Sequence, residues 1–157
     1  MSLTKQVSLF ALLLAVVAGS FYFLTGGNTS SSDTAIADDS SNKLINGVRI
    51  PVDVKLPELS FTAANGKIQF DANCAACHGT NGAGTQAGPP LIHKFYNPGH
   101  HDDAAFYRAV KQGTPRHHWN FGDMPPRPNV TPAQVKVIIS FIREVQLANG
   151  IKYQKHG

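Results

Sequence analysis

Cys74-Ala75-Ala76-Cys77-His78 is the stretch on which the reading of this chain turns. Two thiols stand three positions apart, and a histidine directly follows the second. This C-x-x-C-H pattern is the attachment signature of a c-type haem. Thiols at that spacing can add across the two vinyl groups of one haem and form two thioethers. The tethered macrocycle then brings its iron against the neighbouring imidazole, which makes His78 the proximal ligand. The chain has 2 cysteines in all, so none is left for a disulfide. A thioredoxin-like redox pair would need a βαβ setting, which the sequence lacks. A zinc site would need a second ligand pair, which only scattered histidines could supply. The expectation is one covalently attached haem c, held by Cys74, Cys77 and His78.

Working outward, the next question is the sixth ligand, because it decides what the iron can do. The chain has 2 methionines. Met1 is the initiator, which leaves Met124 in the loop Phe121-Gly122-Asp123-Met124-Pro125-Pro126. A thioether is a soft, neutral donor that favours Fe(II) and raises the reduction potential. It also fills the second axial position. A lone Met is ordinarily core filler, but Met124 lies in a Gly/Pro loop rather than on an apolar helix face. Axial ligation by Met124 is therefore the expectation. Between His78 and Met124 lies Gly88-Pro89-Pro90-Leu91. On its residues alone it reads first as an ordinary turn. A proline carbonyl on such a stiff turn also suits the acceptor that a ligand imidazole needs to fix its tautomer.

Three helices can be placed around these elements. The first runs from Thr62, its candidate N-cap, towards Asn73. Gly66 sits one turn before Phe70 on the same face and suggests close approach by another helix. The second covers about Asp102 to Gln112, with acidic residues at its positive end and Gly113 as its stop. The third starts with Thr131 as cap, Pro132 in the first turn and Gln134 completing a capping box, and it runs to about Asn149. Val135, Ile138, Ile139 and Ile142 form its stripe, widened by Val137 and Phe141. That stripe is ordinary core.

Taken in order, these features resemble class I cytochrome c. The resemblance covers about Phe61 to the C-terminus. It implies an all-α fold of about three main helices around one haem, and a task of one-electron transfer rather than enzymatic turnover. It also implies that the Pro89 carbonyl accepts a hydrogen bond from His78 Nδ1 and that Leu91 packs on the haem. The C-terminal helix should cross the first helix at Gly66, with Ile138 and Phe141 at the contact. Trp119 is the best candidate to hydrogen-bond a haem propionate, since a buried indole N–H needs an acceptor. The run Arg116-His117-His118-Trp119-Asn120-Phe121 is unusually rich in histidine, and the general family assigns it no role. Each of His93, His100, His101, His117, His118 and His156 reads as an ordinary polar side chain. Two alternatives stay open: His117 or His118 displaces Met124 on the iron, or paired histidines hold copper or zinc.

At 157 residues the chain has room for one domain plus appendages. Lys5 precedes an uncharged, mostly apolar run over 7–24. As a helix this run would be about 27 Å long, close to the hydrocarbon thickness of a bilayer. A cleaved signal peptide is the alternative, with Val16-Val17-Ala18 as the small-residue site. Phe21-Tyr22-Phe23-Leu24 continues the apolar run past that cut and favours an uncleaved anchor. Lys5 on one flank and Asp33, Asp38 and Asp39 on the other leave the C-terminal part outside the cytoplasm. The layout is a membrane anchor over 1–25, a tether and arm over 26–60, and the haem domain over 61–157. Gly, Ser, Thr, Asn and Asp dominate 26–42 and read as a flexible tether. In Lys43–Ser60 the apolar residues Val48, Ile50, Val52, Val54, Leu56 and Leu59 alternate with polar ones. Pro51 and Pro57 interrupt the stretch, so an extended arm without regular sheet is expected there.

The formal charge is +4, and the cations occur singly. No basic stripe with interleaved aromatics exists, which argues against a nucleic-acid partner. The resemblance implies redox partners instead: a quinol-oxidising complex on one side and a terminal oxidase or reductase on the other. It places the chain at the inner membrane with its haem domain in the periplasm. A permanent subunit of a larger complex, or a sensor or enzyme with a labile sixth ligand, remains the alternative.

Overall fold

The computed structural model describes residues 43–45 and 47–155, and within that range the chain begins with a turn at Gly47. Strands β1 (Lys43–Ile45) and β2 (Val48–Ile50) pair antiparallel on either side of it, with Lys43 opposite Ile50 and Ile45 opposite Val48. The expectation of no regular sheet between Lys43 and Ser60 is thus corrected. Pro51 follows the end of β2 rather than interrupting it, and a two-stranded ribbon consists only of edges, where proline is tolerated. Ile50 is fully buried and docks the hairpin. From Pro51 to Ser60 the chain is the extended arm that was expected. The Val52 N–H donates to the Ala83 carbonyl at 2.8 Å. The Lys55 N–H donates to Asn149 Oδ1 at 2.9 Å, and Asn149 Nδ2 returns a bond to the Lys55 carbonyl at 2.7 Å. Val54 and Leu59 pack on the core, whereas Leu56 is exposed.

Helix α1 spans Phe61–Asn73. Its cap is Ser60, not Thr62. The Ser60 hydroxyl accepts from the Ala63 N–H at 3.2 Å and donates to Glu144 Oε1 at 2.6 Å. Thr62 lies one residue inside the helix, where its hydroxyl has no cap to make. A one-turn helix, α2 (Ala75–His78), follows after a kink at Cys74. Short 3-10 turns at Thr80–Gly82 and Lys94–Tyr96 punctuate the loop that leads to α3 (Asp103–Gln112). Asp102 caps α3, accepting from the Ala105 N–H at 2.8 Å. The last helix, α4 (Pro132–Ala148), carries both halves of its capping box: the Thr131 N–H donates to Gln134 Oε1 at 2.9 Å, and the Gln134 N–H donates to Thr131 Oγ1 at 3.3 Å.

The crossing of α1 and α4 builds the core. A Cβ on Gly66 would overlap the backbone carbonyl of Val137 and press on Phe141. Only hydrogen fits there, and the two helix backbones meet. One turn on, the Phe70 and Phe141 rings lie 5.4 Å apart at 50°. Ala63, Ile138, Ile142 and Val145 close the same cluster. Polar ties then lock the loop before α3 to α4. Buried Gln146 donates to the Leu91 and Tyr96 carbonyls at 3.0 and 2.9 Å. Arg143 reaches the Tyr96 carbonyl, the His101 carbonyl and the Asp103 carboxylate at 2.9, 2.6 and 2.9 Å.

Among the described residues no helix is long and apolar enough to cross a membrane. The expected anchor over 7–24, the tether over 26–42 and His156 lie outside the described residues.

Candidate functional site

The motif Cys74–His78 sits where α1 gives way to α2. The Cys74 N–H still closes α1 on the Phe70 carbonyl at 2.8 Å, and the Cys74 carbonyl accepts from the His78 N–H at 2.9 Å. Residues three and four apart share one side of a helical turn. Cys74, Cys77 and His78 therefore face one cavity, which all three line. Burial raises the Cys74 thiol to about 11, opposed by the nearby Arg127 guanidinium. Arg127 also donates to the Asn73 carbonyl at 3.1 Å, and so ties the segment after Met124 to the end of α1.

The turn that reads as ordinary in the sequence has a specific task. The Pro89 carbonyl lies 2.9 Å from His78 Nδ1. A carbonyl can only accept, so Nδ1 holds the proton and Nε2 presents its lone pair. Burial lowers the His78 pKa, and the Pro89 hydrogen bond partly offsets this. The turn is held against the motif because Thr85 Oγ1 donates to the Cys77 carbonyl at 2.6 Å, while the Thr85 N–H donates to the Gly88 carbonyl at 3.0 Å.

Met124 lines the same cavity as His78. Its backbone is pinned by an isolated antiparallel bridge: the Thr114 and Met124 amides each donate to the other's carbonyl at 2.9 Å. Gly113, at φ 77°, makes this bridge possible. A Cβ there would be strained by the dihedral and would also strike the Met124 carbonyl and the Pro126 ring. Leu91 and Trp119 line the cavity too, so the structure brings together all seven residues singled out in the sequence. His100, His101, His117 and His118 reach the same lining. His117 Nδ1 lies 2.9 Å from the Pro115 carbonyl, and its Nε2 lies 3.3 Å from His101 Nε2.

The cavity measures about 660 Å³, and Phe70, Leu91, Val110 and Ile138 supply apolar wall. That volume suits a large, flat organic group. A second observation supports such an occupant. Trp119 is buried, packed edge-on to His93 and Phe95, and its Nε1–H has no partner in good hydrogen-bond geometry, only the Tyr96 hydroxyl close enough to interact. A buried indole donor calls for an acceptor. The neighbouring Tyr96 hydroxyl senses this N–H: burial raises the phenol to about 12, and Trp119 opposes the rise. Paired thiols, an oriented imidazole, a thioether and a waiting donor fit a haem with its propionates. Tyr96, Arg127, Arg143 and Gln146 leave no local signal along the chain, because their contacts span distant stretches of it.

The family model described as Cytochrome c matches residues 63–146, more than half of the chain. No curated protein matches. The matched stretch runs from α1 through the haem motif and Met124 into α4, the same residues that build the cavity, and the chain therefore belongs to the cytochrome c family, whose covalently bound haem c serves electron transfer.

Proposed function

We propose that this protein is a one-electron carrier whose haem is attached through Cys74 and Cys77 and ligated by His78 and Met124. Residues 7–24 would anchor it in the cytoplasmic membrane, with the haem domain on the periplasmic side. There it would pass electrons from a quinol-oxidising complex to a terminal oxidase or reductase. The observation that carries this reading is that His78 and Met124 line one cavity and each is held by its surroundings. When bound, the haem supplies an iron that cycles between Fe(III) and Fe(II).

The residues around it have separable tasks. The Pro89 carbonyl keeps His78 Nε2 bare for the metal. The Thr114 bridge fixes the Met124 backbone and limits the motion of its sulfur. Phe70, Leu91 and Ile138 exclude water from the haem face, which stabilises the less charged ferrous state. Trp119 would donate to a propionate. Ligation by both His78 and Met124 would leave no open position on the iron, which would favour an electron carrier over a sensor or enzyme.

A shuttle is favoured over a permanent subunit by the arm Pro51–Ser60. Its polar backbone and apolar side chains are taken up by its own domain through Ala83, Asn149 and the core. Solubilising membranes in mild detergent and following covalent haem on native gels tests this. A shuttle migrates at the size of the chain in its micelle. Persistent co-migration with a larger oxidoreductase would contradict the reading.

A further inference from the structure

Four histidines line the haem cavity without an assigned part in holding the haem. His100 and His101 precede α3, and His117 and His118 lie in the loop before Met124. The folded chain brings them together. His101 Nδ1 lies 2.6 Å from the Phe95 carbonyl, and His117 Nδ1 lies 2.9 Å from the Pro115 carbonyl. Each carbonyl requires a proton on the Nδ1 that it meets. A neutral imidazole has one N–H, so each Nε2 is left with a lone pair. These two Nε2 atoms face one another at 3.3 Å. Two lone pairs at that separation repel, and a cation held by the His101 nitrogen removes the conflict.

The neighbouring pair is as close: His100 Nε2 and His118 Nε2 are 2.9 Å apart, a contact that one N–H and one lone pair make without a metal. One ring nitrogen from each of His100, His101 and His118 falls within 4.8 Å of the others. Around a first-row ion with metal–nitrogen bonds of about 2.0–2.1 Å, adjacent ligand nitrogens stand about 2.9 Å apart at a right angle and about 3.4 Å at the tetrahedral angle. The two close contacts have these lengths, and the remaining separations, within 4.8 Å, close by side-chain rotation onto the ion. The Nδ1–carbonyl bond of His101 is the outer contact that orients a metal-bound imidazole.

We propose that His100, His101 and His118 bind one divalent transition-metal ion of the copper–zinc class, separate from the haem iron, with His117 at the rim of the group. The all-imidazole donor set suits Cu(II) and Zn(II) and disfavours Ca(II) and Mg(II). The Irving–Williams order makes Cu(II) the tighter of the two.

The test uses the full-length holoprotein in detergent, stripped with a chelator and then loaded with Cu(II) or Zn(II) in separate arms. After desalting, elemental analysis should find about one ion per haem in each arm, as a single three-histidine site requires. The Cu(II) arm should show nitrogen superhyperfine structure in its electron paramagnetic resonance spectrum. His101→Ala and His118→Ala should each weaken binding on the order of a hundredfold or more, since even outer contacts of a metal site are worth tenfold to a hundredfold. The haem spectrum should stay as in the wild type, and His156→Ala should bind normally. Less than about a tenth of an ion per haem would overturn the proposal, as would equal retention by the double variant His101→Ala/His118→Ala. A changed haem spectrum in His118→Ala would assign that ring to the iron and also overturn it. Should the variants fail to hold haem, the wild-type copper spectrum decides alone, and a spectrum without nitrogen coupling overturns the site.

Discussion

Tyr96 and Trp119 meet at the wall of the haem cavity, and their polar atoms are the most exacting individual groups in the fold. Burial raises the Tyr96 phenol from its ordinary 10.0 to about 12. Over that interval the folded chain keeps a proton that the unfolded chain has released. The resulting stability is whole below pH 10 and is lost as the pH rises towards 12. An ultraviolet phenolate titration should therefore show one tyrosine ionising about two units late, and Tyr96→Phe should remove that step. Trp119→Phe deletes the buried N–H while keeping an aromatic ring against His93 and Phe95. If the indole serves a propionate, the unshared carboxylate charge then favours the ferric state, and spectroelectrochemistry should find a lower potential. An unchanged potential would remove Trp119 from the haem contacts.

The close crossing of α1 and α4 makes Gly66 the sharpest test among the elements. Gly66→Ala places a methyl group on the Val137 carbonyl, and overpacking of this kind costs about 1–3 kcal/mol. Thermal melting of the holoprotein should report it as a lower midpoint; an unchanged midpoint would mean that the helices are not in backbone contact. Ser60→Ala should cost about 0.5–2 kcal/mol as a lost cap. Thr62→Ala should cost far less. What could be read from the sequence follows the range of the interactions. The motif at Cys74, the Thr131–Gln134 box and the stop at Gly113 are local chemistry, and each was legible. The choice of Ser60 over Thr62 was not, because both carry hydroxyls and the decision comes from Glu144 on α4. Strands of three residues are too short to show a period, which hid the hairpin at Gly47. The ties made by Arg127, Arg143 and Gln146 join distant stretches and leave no pattern along the chain. His78 and Met124 could be named in advance, but the Pro89 contact depended on resemblance until the turn was seen in place.

For the whole molecule, the proposed anchor predicts that the protein stays with membranes through a high-salt wash. It also predicts a mature chain that yields a peptide containing Phe21 to Leu24. A soluble product starting at Gly19 would contradict it. The central claim is a haem closed on both faces by His78 and Met124, as an electron carrier requires. Its most direct test is the absorption spectrum of the oxidised protein at neutral pH, compared with Met124→Ala. Thioether ligation gives ferric haem a weak far-red charge-transfer band. The account predicts that band in the wild type, with poor carbon monoxide binding after reduction. It predicts that Met124→Ala loses the band, lowers the potential and binds carbon monoxide readily. A wild type without the band, or a variant whose spectrum and ligand binding match the wild type, would contradict it.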